Sequence, residues 1–266
     1  MEIVILRDAD AVAEYSAEEI ASTMSSRPES VLGLATGSSP LGTYSRLRRL
    51  VEQGELDLST AWGFALDEYV GIPVDHPQSY ATVIRTEVVE PLGMDPARVR
   101  VPDGRASDLP AACEAYEAAI REVGGIDVQL LGVGTNGHIG FNEPTSSFAS
   151  RTRIKTLTER TRADNARFFD RPEDVPTHCL TQGLGTIMDA RHVVLVAQGA
   201  AKAAAVAALV EGPVAARWPG SILQHHPHAT VVVDEEAAAL LELADYYRFI
   251  YDNKPEWQRH RRRSAG

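Results

Sequence analysis

Two cysteines in 266 residues leave no basis for a disulfide framework. Cys113 and Cys179 are also too far apart in the chain to form a metal or redox motif, so both are expected to be reduced, buried thiols of a cytoplasmic protein. No apolar run approaches the roughly 18 to 20 residues of a membrane span. Met1 leads directly into the strand-like EIVIL, and no signal peptide is read there. Basic residues are in deficit: 26 Lys and Arg against 37 Asp and Glu give a formal charge of −11. That balance argues against a nucleic-acid-binding surface. The one basic cluster is the tail at about 259–266, read as a solvated chain end. Internal repeats, low-complexity linkers and a convincing domain boundary are absent as well. Residues 1–266 are therefore read as a single domain, with enough apolar content (44%) for a sizeable core.

What is present is an alternation of short β-branched runs and longer helical patterns. Strands are expected at 2–6, 31–35, 61–66, 98–101, 127–133, 154–157, 192–197 and 229–233. Helices are expected from residue 8 or 10 to about 24, at 41–52, 79–89, 111–123, 200–210 and 235–251, with a glycine-interrupted helix at 180–188 and a helical turn at 164–169 that presents Arg167. This order predicts an α/β protein with an open, mostly parallel, Rossmann-like sheet covered by helices on both faces.

The most informative stretch is LLGVGTNGHIGFNEP, residues 130–144. It begins as a buried strand, breaks at Gly132, Gly134 and Gly137, and then presents His138 and Glu143 with Asn136 and Asn142 between them. In an open α/β sheet ligands bind beyond the carboxyl ends of the strands, and little in this stretch suits a core. A lone histidine in a glycine-rich turn is ordinarily structural; the carboxylate five residues on favours a functional reading here. Three further segments join a strand to polar side chains. Gly37, Ser38 and Ser39 lie between a strand and a helix, where backbone N–H groups and hydroxyls can hold an anion. The segment is neither a Walker loop nor a dinucleotide fingerprint. Asp67-Glu68-Tyr69 ends the third strand, so one carboxylate can face the crevice, although capping a helix is an equally ordinary use. Lys202 follows Gly199 at a helix start, where a cation opposes the dipole. The His225, His226 and His228 loop lacks acidic or cysteine partners at ligand spacing, and no metal is expected there.

Together the segments LATGSSPLGTY, FALDEYVGIPVDHPQSY, LLGVGTNGHIGFNEPTSSFASRTRIKTLT, GAAKAAAV and HPHATVVVD resemble the glucosamine-6-phosphate deaminase family over nearly the whole chain. The resemblance implies an enzyme of hydrolase/isomerase type. It would couple aldose–ketose isomerisation to deamination of glucosamine 6-phosphate, giving fructose 6-phosphate and ammonia, with no metal or organic cofactor. It implies Asp67 as the base that moves a proton through an enolamine, His138 as the ring-opening group and Glu143 as its acidic partner. It further implies Gly37, Ser38 and Ser39 as the phosphate loop, with Arg167 and Lys202 as its cations. Many members carry aspartate where this chain has Asn136, which is expected to orient the His138 ring through its amide oxygen. Ser146, Ser147, Arg153 and Lys155 match residues that bind N-acetylglucosamine 6-phosphate in hexameric relatives; other relatives are monomers. Alternative readings are a phosphogluconolactonase or another sugar-phosphate isomerase of the same fold, and a non-catalytic sugar-phosphate sensor. The partner in every case is a small phosphosugar rather than a nucleic acid or a membrane.

Overall fold

The computed structural model describes residues 1–26 and 29–255. The basic tail at 259–266 lies outside them. In chain order the elements are β1 (Glu2–Leu6), α1 (Ala9–Met24), β2 (Val31–Leu34), α2 (Leu41–Glu52), β3 (Trp62–Ala65), β4 (Asp67–Tyr69), α3 (Tyr80–Ile84), β5 (Val99–Arg100) and α4 (Leu109–Glu122). They continue with β6 (Val128–Leu131), β7 (Arg153–Thr156), α5 (Glu159–Asn165), β8 (His178–Thr181), α6 (Leu184–Met188), β9 (His192–Ala197), α7 (Ala203–Val210), β10 (Ala229–Asp234) and α8 (Ala244–Asp252).

Seven strands form one parallel sheet in the order β1-β10-β9-β6-β2-β3-β5. Its interior strands β9 and β10 read HVVLVA and ATVVVD and are buried on both faces, as parallel strands between helical layers must be. Local chemistry sets the helix ends. The Asp8 carboxylate accepts the Ala11 N–H at 2.8 Å and starts α1; Asp108 does the same for α4 through Ala111 at 3.0 Å; each satisfies an amide left free in the first turn. Gly124 and Gly125 end α4 with φ of +90° and +83°, backbone that a side chain would strain.

The strand order explains where a site can form. From β2 the chain moves outward through β3 to β5, whereas from β6 it moves the other way through β9 and β10. The carboxyl ends of β2 and β6 therefore feed loops that diverge, and a crevice opens between them.

The structure departs from the expected elements in several places. Beside the parallel sheet stands a three-stranded antiparallel one, β4-β8-β7. Its β4 is the DEY segment, separate from β3. Its β8 occupies the beginning of the 180–188 region expected to be helical, and only α6 remains as helix there. Pairing of Leu180 and Thr181 with β4 and β7 draws the segment out as a strand, and the turn that follows needs Gly183, where a Cβ would stand 2.0 Å from the Ser150 carbonyl oxygen. The expected helix at 79–89 is α-helical only through α3 and then continues as a π-helical turn, Arg85–Val89. The last helix starts at Ala244 rather than 235, because the Asp234 carboxylate holds the preceding turn through the amides of Ala237 and Gly199. Helix α7 is preceded by a 3-10 turn, Ala200–Lys202. β6 stops at Leu131, so the glycines from 132 onward belong to the loop.

Candidate active site

Two loops meet at the β2/β6 crevice. The first holds Gly37, Ser38 and Ser39 between β2 and α2. Gly37 has φ of +90° and open space around it. The second runs from 132 to 143. Its turn closes with the Gly134 N–H donating to the His138 carbonyl at 2.9 Å and the Gly137 N–H donating to the Gly134 carbonyl at 2.8 Å. Gly134 has no room for a side chain, since a Cβ would lie 2.3 Å from the imidazole of His138. A Cβ on Gly137 would meet the Trp218 ring at 2.5 Å. The glycine pattern thus seats the His138 ring.

Glu143 lies at the far end of this loop, almost fully buried, with its carboxylate surrounded by donors. Oε1 accepts the Thr158 N–H at 3.1 Å and the Thr158 hydroxyl at 3.2 Å. Oε2 accepts the Asn136 amide N–H at 2.7 Å and stands 3.6 Å from His138 Nδ1. At 3.6 Å the histidine pair is a charge contact, not a hydrogen bond, and buried Nδ1 has no hydrogen-bond partner. Burial alone would push the Glu143 carboxyl up. The His138 ring, the Thr161 hydroxyl and the Thr158 amide overcome it and hold the pKa at about 2. Asn136 was expected to orient the imidazole. Instead its Oδ1 accepts the backbone N–H of His138 at 3.2 Å while its Nδ2 serves Glu143. The amide is used at both ends and braces the loop against the carboxylate, because the ring turns away over Gly134.

Asp67 reaches the same crevice from the second sheet. In β4 it pairs with Thr181 of β8. Thr181 Oγ1 accepts the Phe141 N–H at 3.1 Å, which ties β8 to the His138 loop. A Cβ on Gly140 would lie only 3.7 Å from Asp67 Oδ2, so the base candidate and the loop are in close approach. Asp67 is 5% exposed. Burial first, and the charge of Glu68 second, push its pKa up to about 8, against the opposing Phe141 amide. Both readings of the DEY segment therefore apply, to different residues: Asp67 faces the crevice, and Glu68 caps α3.

The cationic candidates stand at the two loops, Arg167 at the first and Lys202 at the second. Arg167 sits on a 3-10 turn after α5, and its Nη2 lies 3.5 Å from Ser38 Oγ. Lys202 Nζ donates to the Val133 carbonyl at 2.7 Å, at the root of the second loop. Burial, helped by the like charge of Arg167 and opposed by Asp164, lowers the Lys202 pKa. An anion placed between the two cations would relieve that repulsion.

The four residues considered for effector binding fall outside this crevice. Ser146 is buried and its hydroxyl has no hydrogen-bond partner, while Ser147 is exposed. Arg153 and Lys155 alternate with Ile154 on β7 and share a face of the strand. Arg153 donates to Asn142 Oδ1 at 2.8 Å, and Asn142 in turn donates to the carbonyls of Ile139 and Gln182. Thr158 and Thr181 are supporting residues that sequence reasoning missed, and Asn142, noted between His138 and Glu143, was given no role. Of these only Thr158 carried a signal: it precedes an acidic residue at a helix start, and it does cap α5. The histidine loop is structural. His226 Nδ1 accepts the His228 N–H at 3.0 Å and Nε2 pairs with the Ala190 carbonyl at 2.8 Å. His228 stacks on His192. Among the described residues no three His, Cys, Asp or Glu side chains group as metal ligands.

Comparison with known proteins places this geometry. The family model of glucosamine-6-phosphate isomerases/6-phosphogluconolactonase matches residues 7–233. The glucosamine-6-phosphate deaminase of Pseudarthrobacter chlorophenolicus is 62% identical over 97% of this chain and 99% of its own. That of Streptomyces coelicolor is 60% identical over the same shares. Among solved structures, a monomeric glucosamine-6-phosphate deaminase of the NagB superfamily superposes with a TM-score of 0.88 at 40% identity, covering 90% of this chain and 100% of the other. The 6-phosphogluconolactonase of Leishmania guyanensis, at 20% identity and a TM-score of 0.69 over 89% of this chain and 97% of its own, shares the fold. With the family model covering most of the chain and relatives of one name at about this identity across its length, the chain belongs to the glucosamine-6-phosphate isomerase/6-phosphogluconolactonase family, on its glucosamine-6-phosphate deaminase branch.

Proposed function

We propose that the chain converts glucosamine 6-phosphate to fructose 6-phosphate and ammonia, acting as the catabolic deaminase of an amino-sugar phosphate in the cytoplasm. The observation that carries the reading is the convergence of a buried carboxylic acid, a histidine beside an ionised glutamate and a cation pair on one crevice at the carboxyl ends of β2 and β6. The two buried free thiols suit a reducing compartment. Each group has a physical task. The amides and hydroxyls of Gly37, Ser38 and Ser39, with Arg167 and Lys202, hold the phosphate, and that remote binding energy orients the sugar. His138 moves the ring-oxygen proton on opening the pyranose, as general acid and base. Glu143 stabilises the imidazolium, and Asn136 keeps Glu143 in place. Asp67, once ionised, takes the proton from carbon 2 and returns it to carbon 1. Removal of the carbon-2 proton, with an ammonium proton passing to the carbon-1 oxygen, leaves the enolamine; its protonation at carbon 1 gives the ketimine, and water cleaves that to the ketose and ammonia.

A substrate panel tests the proposal. We expect ammonia from glucosamine 6-phosphate and no acceleration of 6-phosphogluconolactone hydrolysis. Lactone hydrolysis without ammonia release would make the chain a lactonase. Turnover of neither, with phosphosugar binding retained, would make it a sensor.

A second site rests on a specific observation: the buried, unpartnered Ser146 hydroxyl lies in the segment that leads to Arg153 and Lys155. We propose that Ser146, Ser147, Arg153 and Lys155 bind an acetylated sugar phosphate as effector, with Asn142 joining Arg153 to the His138 loop. Sigmoidal rate curves made hyperbolic by N-acetylglucosamine 6-phosphate support this; hyperbolic curves indifferent to it refute it.

A further inference from the structure

Glu68 is a fully buried carboxylate that the reaction as drawn does not use. Its charge is held by four donors. Oε1 accepts the N–H groups of Tyr69 at 2.8 Å and Tyr80 at 3.0 Å. Oε2 accepts the Ser79 hydroxyl at 2.8 Å and the Ala81 N–H at 2.9 Å. Three of these donors belong to the start of α3, where backbone amides favour an anion. All four groups donate, so the Glu68 carboxylate accepts on both oxygens, and Asp67, its neighbour on the strand, gains no hydrogen bond from it. The next residue along β4 is Asp67, buried too, and among the described residues no Lys or Arg forms an ion pair with either carboxylate.

Across the crevice stand His138 and ionised Glu143, paired with each other at 3.6 Å; the tyrosines and the cysteine packed around Asp67 are neutral at working pH. Tyr69 on the same strand, Tyr80 of α3, Tyr116 of α4 and Cys179 of β8 all feel its charge, and burial raises the pKa of every one of them. Arg153 of β7 is turned to Asn142. Glu68 is thus the fixed charge adjoining Asp67, and two neighbouring carboxyl groups are driven to different protonation states by different surroundings.

We infer that Glu68 is a positioning residue that governs when Asp67 can act as a base, and that the site is thereby matched to a substrate bearing a positive charge beside carbon 2. In the empty site burial, and after it the Glu68 charge, favours the protonated form of Asp67. A protonated amine on carbon 2 supplies the missing countercharge, displaces the proton and makes the base as it binds. A sugar phosphate with hydroxyl or hydrogen at that carbon brings no such charge and leaves Asp67 idle. This inference rests on Asp67 being the base.

The test is the pH profile of kcat/KM for glucosamine 6-phosphate in the wild type and in Glu68→Gln, with Asp67→Asn alongside. Removing the like charge favours ionised Asp67, so the acid limb moves to lower pH, by about one unit, which is about tenfold in rate on the limb. A purely structural role for Glu68 lowers the whole curve without moving the limb, and that result overturns the inference. Persistent activity in Asp67→Asn overturns the base assignment instead. A second measurement needs no Glu68 variant: titration of the Asp67 side-chain carboxyl by carbon-13 NMR in the wild-type protein, assigned with Asp67→Asn. We expect it to titrate well above the ordinary 3.8 and to fall when glucosamine 6-phosphate is added. Titration at the ordinary value in the empty protein refutes the inference outright.

Discussion

Replacing Asp67 by asparagine keeps the shape of a side chain that approaches Gly140 and removes its capacity to accept a proton from carbon. We predict loss of solvent hydrogen exchange at carbon 2 of the bound sugar, with phosphosugar affinity retained; undiminished exchange would move the base elsewhere. The other decisive residue is Asn136. An aspartate in its place would set a second carboxylate where the amide now donates to Glu143 Oε2 at 2.7 Å. Two carboxylates at that range cannot both stay ionised. Asn136→Asp is therefore expected to lower kcat at neutral pH and to recover it as the pH falls and the pair takes up a proton, a moved pH optimum rather than a lost activity, in keeping with the aspartate that many members carry there. Full activity at pH 7 would show that Asn136 does not brace Glu143. At this scale the candidate residues were legible because their spacing in one loop implied proximity. The use each makes of its atoms was not: nothing in the letters TNGHIGFNEP says that the amide turns to Glu143 and leaves the imidazole over Gly134.

Among the elements, β8 and α6 show what position along the chain can and cannot convey. Leucine, glycine and isoleucine over 180–188 fit helical spacing. What decides the conformation is tertiary: Thr181 and Leu180 pair on one side with Asp67 and Glu68 and on the other with Arg153 and Ile154. The parallel strands were legible because each carries its own burial pattern, as in HVVLVA. The antiparallel sheet was hidden because its three short strands come from distant parts of the chain and β7 is only half covered. Gly183 is the test of this junction, since a methyl group there meets the Ser150 carbonyl at 2.0 Å. Gly183→Ala should destabilise the fold by about 1–3 kcal/mol, read as a lowered urea midpoint. It should also weaken turnover more than the same loss of stability elsewhere, because β8 carries Thr181 and the His138 loop. A neutral effect on both would mean that the junction yields without cost.

For the whole molecule, the two perturbed carboxyl groups give opposite pH dependences. Glu143 has its pKa depressed to about 2 from an ordinary 4.5, so it adds stability that is present above about 4.5 and is lost as the pH falls toward 2. Asp67 has its pKa raised to about 8 from 3.8. Its contribution is complete below about 3.8 and is lost progressively as the pH rises from there through 8. Urea midpoints measured against pH should therefore fall at both ends of the range, with Glu143→Gln flattening the acid side and Asp67→Asn the alkaline side. Parallel curves for wild type and both variants would contradict these assignments.

The central claim is that one crevice isomerises and deaminates an amino-sugar phosphate through a single carboxylic acid. The most direct test is the reaction of glucosamine 6-phosphate in deuterated water, following ammonia, fructose 6-phosphate and the hydrogen at its carbon 1. The account predicts ammonia and ketose in equal amounts, with deuterium from solvent appearing at carbon 1 through exchange at the shared acid, and none of this in Asp67→Asn. Ammonia without ketose, or ketose formed at the wild-type rate by Asp67→Asn, would contradict it.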